Sequence, residues 1–96
     1  MQSPDTTVRQ LIRKFEEEGP DYDAMDAVPV ENASTVRALV EGLSSQEFRA
    51  RLACAQALAR ATVEHETAAR AVAPLLDDEE ELVVAAVGMA LGRLAA

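Results

Sequence analysis

Apolar residues recur along this chain at helical spacing, in blocks set apart by breakers. Val8, Leu11, Ile12 and Phe15 make the first stripe, with Arg9, Arg13 and Lys14 off it. Ser3 followed by Pro4 supplies a capping hydroxyl and then a proline where no amide partner is needed, so a helix is expected to start there. Glu16 to Glu18 close it, and Gly19-Pro20 stops it because proline cannot donate the next bond. From Asp21 to Glu31 the pattern is less regular. Tyr22, Met25 and Val28 fit a short amphipathic helix followed by a connector, and Pro29 forbids a long one.

Val36, Leu39, Val40 and Leu43 stand at i, i+3, i+4 and i+7, a complete helical face that Asn32 or Ser34 can cap and Gly42 to Ser45 ends. Ser45 is then placed to cap a helix carrying Phe48, Ala50, Leu52, Ala53, Cys54, Ala55, Ala57, Leu58, Ala59 and Ala61. Only Arg49, Arg51, Gln56 and Arg60 are clearly polar in that run, so this helix should be mostly enclosed. Thr62 or Glu64 opens the next segment, with Ala68, Ala69, Val72, Leu75 and Leu76 on its apolar face and Pro74 bending or breaking it. Asp77 to Glu81 are consecutive acids. Asp78 with Glu81 has the spacing of a capping box, and a last helix is expected from about Glu79 onward.

The pattern also repeats. Ala57-Leu58-Ala59-Arg60 returns as Ala90-Leu91-Gly92-Arg93 thirty-three residues later, with Leu43 returning as Leu76, Glu47 as Glu80 and Ala53 as Ala86. A fixed period of this length is the mark of a helical repeat, in which each unit buries its apolar face by stacking on the next. The expected fold is all-α, with about five helices in a single compact domain. Residues 1–34 form an N-terminal helix and connector, and residues 35–96 form two helical hairpins stacked as a short α-solenoid.

Helix, short turn, helix at this period resembles the HEAT-like repeats of the phycobilisome-lyase type. Leu76-Asp77-Asp78, Val83 and Ala90-Leu91-Gly92 match that pattern in the second unit; Leu43, Arg51 and Ala57-Leu58 match it in the first, and Pro74 falls where the family often has a proline. Ser45 stands in place of the usual Asp, and Val84 in place of the usual Arg. The resemblance covers Thr35 to Ala96 and implies an α-solenoid. The family includes scaffolds, adaptor subunits, bilin lyases and glycosylase-like enzymes, and fold alone does not choose among them.

Composition narrows the choice. Apolar residues make up 49% of the 96-residue chain, mostly Ala and Val, which suits a close-packed helical core of small side chains. The net charge of −8, with Lys14 the only lysine, repels phosphate backbones, so no nucleic-acid partner is expected. The longest uncharged run, Leu82 to Gly92, is too short to span a bilayer, and no secretory signal is visible, so no membrane partner and a cytoplasmic location are expected. Glu64-His65-Glu66 lacks the spacing of a zinc site, and the acidic run lacks the glycine-centred loop of a calcium site. Cys54 aligns with Val87, a core position. No triad, phosphate loop or nucleotide motif is present, and no catalytic, cofactor or metal site is expected. The alternative is a lyase-type or enzyme-associated role using Cys54 or His65.

The place where the repeat fails points to a surface. Arg49, Gln56 and Arg60 share one helix face, and the repeat turns them into Leu82, Met89 and Arg93. A terminal repeat normally carries a polar outer face, and this one carries an apolar one. Three covers suit such a stripe: a protein partner or a second copy of the chain, the next unit of a longer array, or the N-terminal segment folded back. Gly88 and Gly92, four apart, read as tight packing within the repeat because Ala55 and Ala59 hold the equivalent places. The function expected is noncatalytic protein–protein interaction, as an adaptor, regulatory or self-associating scaffold element. It would dock through Leu82, Met89 and Arg93, with Arg49, Gln56 and Arg60 as the polar margin and a protein partner or itself, as a homodimer, on the other side.

Overall fold

The computed structural model describes residues 4–95. Among them are six α-helices and one 3-10 turn, with no strand: α1 (Pro4–Glu17), α2 (Tyr22–Asp26), α3 (Ala33–Gly42), α4 (Phe48–Leu58), α5 (His65–Val72), the 3-10 turn (Ala73–Asp77) and α6 (Glu81–Leu94). Ser3, read as the cap of the first helix, lies outside the described residues. The expected count of about five helices is one short. The one beyond that count is α2, the short helix expected from Tyr22 and Met25, where the Asp21 carboxylate accepts the Ala24 amide at 3.1 Å and Met25 is buried.

The apolar stripes of α1 and α3 point inward. Val8, Leu11, Ile12 and Phe15 on α1 are buried, as are Val36, Leu39 and Leu43 along α3 and its end. α4 lies at the centre, packed by α1, α2, α3 and α6. Its small side chains let neighbours approach on several sides, and Leu52 through Ala55, Ala57 and Leu58 are all buried. Each large side chain enclosed this way, such as Leu39, Leu58 or Phe15, contributes about 1.5–3 kcal/mol. α3 comes so close at Gly42 that an added Cβ would overlap Cys54 Sγ and Ile12 Cδ1. At the edge of the core, Phe15 and Tyr22 meet edge to face with centroids 5.4 Å apart, holding α1 to α2.

The helix starts show which sequence signals act. Asn32 caps α3, accepting the Thr35 amide at 2.9 Å, and the Thr35 hydroxyl donates to the same oxygen, so this buried threonine is satisfied. Ser45 does not cap α4. Glu47 does, accepting the Arg49 amide at 3.3 Å, while Ser45 Oγ accepts the Glu47 amide at 3.1 Å. The Asp78/Glu81 capping box does not form either. Glu80 is the N-cap residue of α6, and Asp78 Oδ1 instead accepts the Glu80 amide at 2.9 Å. α5 starts at Glu64 with a left-handed φ of 56°.

Pro74 ends α5 as its missing donor requires, and the chain continues as the 3-10 turn. That change of pitch rotates Leu76 out of the expected apolar face, and it is 47% exposed. α1 packs on α2, α3 and α4, so the N-terminal segment does not fold back over the outer face of α6. No helix among the described residues is long and apolar enough to cross a membrane.

Candidate protein-docking face

α6 has two unlike sides. Val83, Ala86, Val87, Ala90 and Leu94 are buried against α4, α5 and the 3-10 turn. Leu82, Ala85, Gly88, Met89, Gly92 and Arg93 are exposed on the other side. Leu82 is 60% exposed and Met89 48%, and with Leu76 they are the large exposed apolar side chains among the described residues. An isolated exposed leucine is ordinary; two on one helix face, with nothing charged between them, make a patch. A Cβ added at Gly88 or Gly92 would meet nothing within 4 Å. The reading of these glycines as packing within the repeat is therefore corrected. α4 is enclosed at Ala55 and Ala59, whereas α6 has no neighbour on its outer side among the described residues.

The charges at the ends of this face are uncommitted. Glu81 lies in the first turn of α6 and Arg93 in the last, each matching the helix dipole. Neither has an ion-pair partner within the described residues.

The expected polar margin is only partly delivered. Arg49 is exposed at the start of α4, its guanidinium 4.9 Å from the Phe48 ring centroid and 3.6 Å from Glu47. It lines an open polar cleft of about 520 Å³ with Asp78, Glu79 and Glu80, beside the start of α6. Gln56 is half-buried on α4. Arg60 faces the other way. Its Nη2 donates to the carbonyls of Met25 at 3.0 Å and Val28 at 3.2 Å, and its Nη1 lies 3.7 Å from Asp26. It closes the C-terminal end of α2. The carbonyls it meets are backbone groups, which have no signature in the sequence.

Arg51 reaches beyond its own helix. The spacing suggests Glu47, four residues earlier, as its partner. Its guanidinium instead grips Asp78 across the molecule, Nε to Oδ2 at 2.9 Å and Nη2 to Oδ1 at 3.1 Å. Nη1 donates to the carbonyls of Ser45 and Gln46 at 2.9 and 3.2 Å. The hydrogen bonds from Arg51 hold the Asp78 carboxyl below its usual range, against the opposing pull of burial.

The two groups nominated for chemistry differ in access, Cys54 being enclosed and His65 exposed. Cys54 is fully buried, and burial, with the charge of Glu16 adding, pushes its thiol up to about 12. A nucleophilic or bilin-attaching thiol needs the reverse, an accessible group with a lowered pKa. His65 Nε2 lies 2.7 Å from the Ala61 carbonyl, at the turn after α4. Among the described residues no group of three or more His, Cys, Asp or Glu is placed to hold a metal ion. A concavity of about 560 Å³ beside α1 and α2 is lined by Val8, Leu11, Ala24, Val28 and Pro29, with Lys14 the one charged residue of its lining among the described residues.

No protein-family model, no curated protein and no solved structure matches this chain.

Proposed function

We propose that this chain is a noncatalytic protein-interaction module, an adaptor, regulatory or scaffold element that docks through the outer face of α6. The observation that carries the reading is the pair Leu82 and Met89, exposed together on a helix whose opposite side is fully buried. Burying two such side chains supplies a few kcal/mol, enough for a reversible contact when the surrounding polar groups remain satisfied. Arg49 and the cleft beside it form the polar rim at the N-terminal end of that face; Gln56 and Arg93 complete it. The inaccessible Cys54 thiol weighs against the lyase-type alternative. The net charge of −8 weighs against a nucleic-acid partner.

The module is read as two HEAT-like units, α3 with α4 and α5 with α6. Their turns support that reading. Ser45 and Asp78, thirty-three residues apart, each accept the amide two residues on, from Glu47 and Glu80. Those glutamates share an extended conformation, with φ −83°, ψ 115° and φ −93°, ψ 118°, and each begins a helix. Arg51 of the first unit then clasps Asp78 of the second. The substitution of Ser45 for the family's Asp keeps the local bond and gives up the charge.

A photo-crosslinking residue placed at Leu82, with one at Arg13 on the exposed side of α1 as control, tests the docking reading in cells. A discrete protein adduct at position 82 that is missing at position 13 is expected. Equal, diffuse labelling at both positions overturns it.

A further inference from the structure

The exposed face of α6 is self-complementary, and we infer that its partner is a second copy of the chain, crossing antiparallel. This rests on the docking reading and names its occupant. Glu81, Ala85, Met89 and Arg93 are four residues apart and form one ridge along the helix, and all four are exposed. Read from the N-terminus the ridge runs acid, small, large, base. An antiparallel copy whose two-fold axis sits at the level of Val87 reverses that order. Glu81 then faces Arg93 of the other copy, and Ala85 faces its Met89. Each pairing occurs twice. Every large residue meets a small one, and every charge meets its opposite.

Three further observations fit this geometry. The ridge next to it carries Gly88 and Gly92, whose absent side chains leave a shallow groove open to solvent. Packing one such four-residue ridge into the groove of its copy gives a crossing near −50°, the commonest class of helix contact. The arrangement is isologous and closes on itself, as a two-fold dimer requires. Glu81 and Arg93 have no ion-pair partner among the described residues, so the dimer need not break one of those to form. In a parallel pair about the same face, Glu81 would meet Glu81 and Arg93 would meet Arg93.

The size of the face sets the strength. α6 has 14 residues and is about 21 Å long at 1.5 Å per residue. Its outer side covers a small part of the roughly 800 Å² per partner of a standard stable interface. Association is therefore weak and reversible, populated at high local concentration.

The test is sedimentation equilibrium on the full chain from about 10 µM to about 1 mM, in ~0.15 M salt, where the Debye length of about 8 Å screens the two net charges but leaves contact pairs largely intact. Wild type should show a concentration-dependent monomer–dimer equilibrium. Glu81→Arg and Arg93→Glu should each weaken it at least tenfold by setting like charges face to face. Mixing those two variants should restore it, and so should the double variant carrying both changes. The two restorations separate a broken contact from a damaged fold, and circular dichroism of each single variant checks its helix content. A wild type that stays monomeric at 1 mM overturns the second-copy inference while leaving a foreign adduct at Leu82 to support the docking reading. Dimerisation lost in Met89→Lys but indifferent to both charge reversals overturns the antiparallel register.

Discussion

Arg51 and Asp78 form a two-pronged ion pair across 27 residues of sequence, joining the first turn of α4 to the turn before α6. Their side chains are 16% and 6% exposed, so the pair is well shielded though not sealed. It fixes where α6 begins, and through that the direction in which Leu82 and Met89 point.

Asp78→Asn should therefore lower stability by about 1–3 kcal/mol at pH 7, between the values for exposed and fully buried pairs. The pH dependence has a definite sign. The folded-state pKa of Asp78 is lowered, so its contribution is full above the unfolded carboxyl value near ~4 and is lost as pH falls through the lower folded value. Urea titrations from pH 7 down to about 2 should show the gap between wild type and Asp78→Asn narrowing in acid. A gap that stays constant across that range contradicts the assignment.

Cys54 should resist thiol reagents in the native protein at pH 8. Labelling should proceed only at the rate at which the molecule opens, and become immediate in urea, because the thiol is enclosed and raised to about 12. Complete modification within seconds under native conditions would restore the lyase-type alternative.

The glycines should separate by position. Gly42→Ala forces a Cβ into Cys54 and Ile12 and should cost about 1–3 kcal/mol as overpacking. Gly88→Ala and Gly92→Ala add a methyl in open space on a helix and should each stabilise the monomer by about 0.5–1 kcal/mol. Thermal melts of the three variants give the comparison directly; destabilisation by Gly88→Ala would mean that the outer face of α6 is occupied within the monomer.

The helices were legible because their apolar stripes were complete. Val8, Leu11, Ile12 and Phe15 predicted a buried face and have one. The exposure of Leu82 and Met89 was legible through the repeat, as positions where a polar stripe turned apolar. The errors came from neighbours that a repeat alignment does not carry over. Ala55 and Gly88 are equivalent along the chain, yet α4 is enclosed and α6 is open on its outer side. Leu76 was assigned to the core, but the 3-10 turn after Pro74 rotates it outward. Arg60 was placed by spacing with Arg49 and Gln56, while its partners, backbone carbonyls at the end of α2, are distant in sequence, as is the carboxylate that Arg51 grips.

Arg60→Ala should cost about 1–2 kcal/mol, since it removes the donor from two carbonyls at the end of α2. Hydrogen exchange should speed up in α2 before the rest of the molecule. Arg49→Ala, at an exposed position with an exposed ion pair, should stay within about 0.5 kcal/mol. An α2 whose exchange is unchanged by Arg60→Ala would return Arg60 to the docking margin.

Peroxide footprinting of Met89 tests the docking face most directly, with the buried Met25 as internal standard. Met89 is 48% exposed and Met25 1%, so in dilute protein Met89 should oxidise far faster. In concentrated protein, or in a lysate of the host cell, the account predicts that Met89 slows toward Met25 and that Leu82→Lys abolishes the slowing. Oxidation of Met89 at one undiminished rate under all these conditions would contradict the claim that this face is a docking surface.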